Sequence, residues 1–298
     1  MIFSRGGRYA SSGMRGGQIS HALTGDYNKL ILNDPNITGQ TIILLKDDIL
    51  NTELLYHLKK NGNKLVLDVI DLLDTDKYDK NQNINIPNFF PNIPTDIIDG
   101  YIVNSIKMKE WWYNNIHKSP IFVIPHHWEE DFRVLQPKQY DNNPYFYYLG
   151  YIGHKEQNCL HLNSLLLNGY VQEHRFNHTN EGYYIDKPIN GCQINIRTKD
   201  SYEYCFKPAT KISVAAALDS VVITTYDWSV QDLLPKDYPY LLHSTEYEDV
   251  VNMINFVKES VGSTEWGVAK KMMGDVLQKT SLQATIEKYK QVDAFFNN

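Results

Sequence analysis

The sequence predicts an α/β fold with parallel sheets, repeated in two domains, on three observations. Short apolar runs alternate with amphipathic helical stretches along nearly the whole chain, which is the pattern of strand–helix–strand units. The alternation is broken between Trp128 and Pro144, where charges, Pro137 and Asn142-Asn143-Pro144 intervene, and it then starts over. A length of 298 residues exceeds the usual single domain and fits two of roughly 130 to 160 residues. The predicted domains are residues 1–130 and 131–298.

In the first domain a short strand at Ile2-Phe3 runs into a glycine-rich loop, and an amphipathic helix begins near Arg15. Thr41 to Leu45 (TIILL) reads as a second strand and Glu53 to Lys60 as a helix, closed by Asn61-Gly62-Asn63, which suits a left-handed cap. Lys64 to Leu72, Tyr101 to Val103 and Ile121 to Ile124 are further strands, with a helix over Ile106 to Asn115. The polar stretch from Asp76 to Pro94 reads as a loop or small insertion. In the second domain the strands are Tyr145 to Ile152, Gln193 to Ile196 and Val221 to Thr224, with helices at Leu160 to Leu167 and Lys211 to Leu218. From Glu246 onward Val250, Ile254 and Val257 fall at helical spacing.

Composition narrows the function classes. A net charge of -6 argues against a general nucleic-acid binder, because the phosphate backbone rewards basic surfaces. No apolar run approaches the ~20 residues of a membrane-spanning helix. The first residues lack the long apolar core of a secretory signal, so a cytoplasmic protein is expected. Cys159, Cys192 and Cys205, without paired spacing, point to reduced thiols.

The most informative stretch runs from Arg197 to Thr225. Phe206-Lys207-Pro208-Ala209-Thr210-Lys211-Ile212-Ser213, the small residues Ala215 to Ala217, the Asp219-Ser220 turn and the strand after it resemble the donor-binding segment of GT-B glycosyltransferases of the retaining group 1 / family 4 type. The resemblance implies two Rossmann-like domains facing across a cleft. It also implies transfer of a sugar from a nucleotide-diphosphate donor to a hydroxyl acceptor on a glycan, lipid or protein, with retention, and C-terminal helices packing back toward the N-terminal domain. No cofactor beyond the donor and no metal are expected. The physical argument is that a helix N-terminus presents unpaired N–H groups and partial positive charge to a diphosphate. Arg197, Lys207 and Lys211 beside it would neutralise charge on the leaving nucleotide. Pro208, Thr210 and Ser213 complete the expected contact set. The family's pair of glutamates is missing here: aligned on the turn, its slots fall on Phe206 and Val214.

Other segments resemble further parts of that family. Gly7, Gly16 and Gly17 lie in the glycine-rich loop after the first strand, where backbone can approach phosphate. Ile121 to His127 (IFVIPHH) looks like the last strand of the N-terminal domain, so His126 or His127 would touch substrate. Gly153 and Lys155, at the end of the strand starting at Tyr145, would meet the donor. Asp68 and Asp71 lie near the C-terminal end of a strand, where α/β sheets bind ligands, so that one of them would serve as an acceptor-side base or position a sugar hydroxyl; Asp71 and His127 are the expected catalytic residues. Two alternatives stand beside this reading. Asp74-Thr75-Asp76 is a DxD sequence, with which a GT-A enzyme holds a divalent cation on the diphosphate. A non-catalytic nucleotide-sugar binding protein would also tolerate loss of the glutamates. His174 and His178 have the spacing that puts two ligands on one helix face, without a third.

Overall fold

The computed structural model describes residues 1–4, 13–26, 34, 36–45, 51–70, 75–79, 84–87, 93–116, 119–128, 133–141, 143–149, 159–175, 177–179, 182–199 and 201–297. The chain divides into two compact units. Unit 1 comprises Met1–His127, Cys205–Pro208 and Ser281–Asn298, and unit 2 comprises Trp128–Tyr204 and Ala209–Thr280.

Unit 1 is built on a five-stranded parallel sheet of β1 (Ile2–Phe3), β2 (Thr41–Leu45), β3 (Lys64–Asp68), β6 (Gly100–Val103) and β7 (Ile121–Val123), in that order. Parallel strands covered on both faces read as continuous apolar runs, and all five residues of β2 are buried. The helix α1 (Ile19–Thr24) is entered through a π-helical turn at Gly13–Gln18, which is wholly buried. The helix α2 (Thr52–Lys60) is capped by Asn51, whose side chain accepts from Leu54 N at 3.3 Å. It ends as expected, with Gly62 at φ +77°, a conformation that glycine adopts without penalty. Ser105 caps α3 (Ile106–Asn115) in the same way, its hydroxyl accepting from Met108 N at 3.1 Å.

Asp76 to Pro94 is not wholly loop. The strands β4 (Thr75–Asp79) and β5 (Ile84–Pro87) form an antiparallel pair within it. β3 also stops at Asp68, short of the predicted Leu72, because Ile70 turns into the left-handed region at φ +50°.

Unit 2 carries a second five-stranded parallel sheet, formed by β9 (Tyr145–Leu149), β10 (Gln172–His174), β13 (Gly191–Asn195), β14 (Val221–Thr225) and β15 (Leu241–Leu242) in the order β10-β9-β13-β14-β15. The stretch read as an interruption contains β8 (Arg133–Lys138), which joins β11 (Asn177–Thr179) and β12 (Gly182–Pro188) in a three-stranded sheet. His174 and His178 lie on strands of two different sheets, not on one helix face: His174 pairs with Leu149 of β9 in the parallel sheet, and His178 pairs with Tyr183 of β12. The helices of this unit are α4 (Leu162–Leu167), α5 (Tyr202–Cys205), whose last residue groups with unit 1, α6 (Thr210–Ala217), α7 (Tyr247–Ser260) and α8 (Thr264–Lys279). Phe146, Tyr148, Ile194, Val221 and Ile223 of the sheet pack with Ile212, Ile254, Ala269 and Met273 of the helices in one core. Among the described residues no helix is long and apolar enough to cross a membrane, and Cys159, Cys192 and Cys205 are buried and form no disulfide.

The last helix, α9 (Leu282–Asn297), belongs to unit 1. Its Ile286, Tyr289 and Val292 pack with Phe3, Ile43, Val66, Ile102 and Ile124.

Candidate functional site

In the unit 2 sheet the strand order reverses between β9 and β13. Parallel sheets bind ligands beyond their carboxyl ends, beside such a reversal. A cavity of about 350 Å³ lies at this edge, lined by residues that follow β13 (Arg197, Lys199), close β14 (Thr225, Tyr226) and follow β15 (His243, Thr245). Tyr204, Gln231, Lys236 and Leu242 complete its walls. The volume falls within the range of small-molecule sites.

Arg197 is 4% exposed and is fixed from two sides. Its backbone N–H donates to Thr225 Oγ1 at 3.0 Å, and its Nη1 donates to Asp227 Oδ2 at 2.9 Å. The other Asp227 oxygen closes a turn, accepting from Ser229 N (3.0 Å), Ser229 Oγ (2.9 Å) and Val230 N (2.8 Å). Burial pushes the Asp227 carboxyl above its usual pKa despite the pull of Arg197 and these donors. Tyr204 OH donates to Tyr226 O at 2.8 Å, which ties the two aromatic walls together. Lys199 and Lys236 are exposed at the rim, so the cavity combines aromatic surface with three cationic side chains.

The helix α6 begins at Thr210 with no side-chain cap from Ala209. Thr210 and Lys211 are half-buried and Ser213 is fully buried. Lys211 Nζ stands 5.2 Å from the centre of the Tyr148 ring, a cation–π distance. Lys207 and Pro208 group with unit 1, whereas Arg197, Thr210, Lys211 and Ser213 group with unit 2. The residue in the missing glutamate's place has a packing role: Phe206 is buried, stacks edge-on against Trp111 at 4.8 Å, and its carbonyl accepts from Asn104 Nδ2 at 3.4 Å. Val214, in the other slot, packs with Tyr145, Tyr147 and Leu218.

The carboxyl edge of the unit 1 sheet is occupied by a buried polar network. Arg15, in the π-helical turn with Gly16 and Gly17, makes a forked bond to Asp68, Nε to Oδ2 at 3.0 Å and Nη2 to Oδ1 at 3.2 Å. Its Nη1 donates to the carbonyls of Ile124 and Pro125 at 3.2 and 3.1 Å, and Tyr289 OH donates to Asp68. Burial works against the Arg15 charge, but Asp68 and Tyr289 outweigh it and hold the guanidinium protonated. Asp68 is thus buried and committed to an internal pair. His127, 0% exposed, meets Gln18 Oε1 through Nε2 at 3.0 Å. Burial, then His126 and Arg15, push its pKa well below the usual value, so the ring is neutral. His126, also buried, stacks on it with ring centroids 5.8 Å apart, its Nδ1 2.9 Å from the His127 carbonyl.

Gly7, Asp71, Asp74, Gly153 and Lys155 lie outside the described residues, and Asp76 is described only by its place in β4. The sequence reading missed Lys199, Tyr204, Tyr226, Asp227, Lys236 and His243. Tyr226 and Asp227 directly follow the strand where that reading stopped, and their position just past a predicted parallel strand was the signal available.

No protein-family model matches the sequence, and no curated protein matches it. Solved structures do. The GtfA/B complex aligns with a TM-score of 0.58 at 11% identity, covering 90% of this chain and 59% of that one. This chain therefore spans less than two thirds of that protein. The T4 phage BGT, solved with its UDP-glucose substrate, aligns with a TM-score of 0.57 at 12% identity over 98% of both chains. A β-glucosyltransferase described as a DNA modifying enzyme, studied with and without uridine diphosphoglucose, aligns at 0.57 and 11% identity over 100% of this chain and 98% of its own. At such identities the likeness is one of fold, and this chain has the α/β fold with parallel sheets of the GT-B glycosyltransferases.

Proposed function

We propose that this protein is a glycosyltransferase that takes a sugar from a nucleoside-diphosphate donor to a hydroxyl acceptor. The observation that carries this reading is the unit 2 cavity, where Arg197, Lys199 and Lys236 converge with Tyr204 and Tyr226 at the carboxyl edge of a parallel sheet. Cations at that edge suit a diphosphate and aromatic walls suit a base. Lys207, Pro208, Thr210, Lys211 and Ser213 are proposed as further donor contacts. In the reaction the bond from the anomeric carbon to the β-phosphate oxygen breaks, a bond to the acceptor oxygen forms, and the acceptor proton leaves to a base. His127 is proposed on the acceptor side. With Nε2–H donating to Gln18, its Nδ1 is a lone pair without a hydrogen-bond partner among the described residues. Retention of configuration and independence of metal are part of the proposal, with Arg197 and the lysines replacing a cation.

The test is a thermal-shift screen of nucleoside diphosphates and their sugars, beginning with UDP and UDP-glucose, followed by turnover with and without a chelator. A ligand at a hundredfold its Kd stabilises by about 2.7 kcal/mol, a readily measured shift. A melting temperature that no nucleotide moves would sink the proposal. Activity abolished by chelation would remove its metal-free part.

A second reading of the acceptor, a hydroxyl carried on a DNA base, is favoured by one observation. The match to the DNA modifying β-glucosyltransferase covers 100% of this chain and 98% of that one. The net charge of -6 weighs against it. Sugar transfer to DNA bearing hydroxylated bases, compared with glycan and lipid acceptors, separates the two.

A further inference from the structure

We infer that Asp227 is a positioning residue that sets the Arg197 guanidinium for the donor's diphosphate. This role rests on the donor reading above and adds a residue to it. Asp227 divides its two oxygens between two tasks. Oδ1 takes all three donors of the 227–230 turn, and Oδ2 takes Arg197 Nη1. The turn makes Asp227 rigid, and that rigidity passes to Arg197, whose N–H is also held by Thr225. Arg197 forms part of the cavity lining, whereas Asp227 is 0% exposed and not part of it. Asp227 therefore acts through the arginine. A planar guanidinium recognises phosphate oxygens through the direction of its N–H bonds, so its orientation matters as much as its charge. The pairing has a second consequence. Asp227 offsets the charge of Arg197, and the net positive charge at the cavity comes from Lys199 and Lys236. Arg197 supplies direction and the lysines supply field.

The two tasks can be separated by substitution. Asp227→Asn keeps an oxygen for Ser229 and Val230 and turns an amide N–H2 toward Arg197, so the turn survives and the clamp does not. Calorimetry with UDP on wild type, Asp227→Asn, Arg197→Ala and the double variant forms a cycle. The expected result is that each single variant raises the Kd of UDP roughly tenfold or more, and that the double binds as Arg197→Ala does. If Asp227→Asn does not fold, Asp227→Glu, which keeps the charge but displaces the carboxylate from Arg197, takes its place in the cycle with the same expected loss. Wild-type affinity in Asp227→Asn, or a double variant weakened by the product of the two single effects, overturns the role and leaves the donor reading standing. A wild-type protein that binds neither UDP nor any other nucleoside diphosphate overturns both.

Discussion

Replacing Asp68 by alanine isolates the most deeply buried charge in unit 1. Arg15 and Asp68 are both 0% exposed, and the carboxylate receives two guanidinium bonds, the Tyr289 hydroxyl and the Ile70 N–H at 3.3 Å. Arginine does not deprotonate in proteins, so the variant must keep a positive charge in the core with no carboxylate against it, facing the carbonyls of Ile124 and Pro125 and the Tyr289 side chain. Removing one partner of a buried pair costs about 3–5 kcal/mol. In a unit of about 150 residues, each kcal/mol lowers Tm by roughly 2–4 °C, so the unit 1 transition should fall by roughly 6–20 °C. Tyr289→Phe removes a single bond to the same carboxylate and should cost about 1.5–3 kcal/mol. The double variant Arg15→Met, Asp68→Leu should recover most of the loss, since an apolar pair of similar volume needs no compensation. Scanning calorimetry, with urea denaturation followed by circular dichroism, measures all three. A loss below about 1 kcal/mol for Asp68→Ala, or a double variant as unstable as that single one, would refute the reasoning.

Three further outcomes are expected. Lys207→Ala and Lys236→Ala should each weaken UDP binding by roughly tenfold, about 1.4 kcal/mol by calorimetry, with an effect that shrinks in high salt; unchanged affinity removes the residue concerned from the site. Gly100→Ala would bring a Cβ to 2.8 Å from the Phe296 ring and 3.2 Å from the Pro120 carbonyl; it should cost about 1–3 kcal/mol, and Phe296→Leu in the same chain should relieve part of it. His127 has a folded-state pKa below its unfolded value, so the unfolded chain binds its proton first and stability falls as pH drops below about 6.5. His127→Gln should flatten that slope by up to about 1.4 kcal/mol per pH unit, and an unchanged slope in pH-dependent denaturation assigns the effect to other groups.

The sequence was most legible where local signals agree. β2 and α3 fall on their predicted residues because TIILL is a pure buried-strand run and Ser105 marks a helix start. β8 was hidden because Pro137 and its charges read as an interruption. It lies at the edge of its sheet, where a missing N–H and exposed side chains are tolerated. The π-helical turn had no local signal, since Arg15 is held by partners 53 and 109 positions away. At the site the same division holds. Arg197 was legible as a cation closing a strand, but its partner lies 30 residues on, across a strand pairing that one sequence does not reveal. Asp68 misled for the converse reason: its place at a strand end suggested chemistry, while Arg15 and Tyr289 consume its valences from distant segments.

The membership of α9 in unit 1 bears on how the protein is made. The Tyr289–Asp68 bond joins residues 221 positions apart, and Ile286, Tyr289 and Val292 fill the core beneath strands that emerge from the ribosome long before them. Domains ordinarily fold as they are synthesised, the N-terminal one first. Here the first sheet emerges early yet lacks its final helix until residues 281–298 are added, and non-local closure of this kind is slow. Until then Asp68 lacks the Tyr289 hydroxyl, and the apolar residues that α9 covers have no helix to pack against. The order of completion is therefore inverted relative to the order of synthesis, and the last helix acts as the latch that ends the vulnerable period.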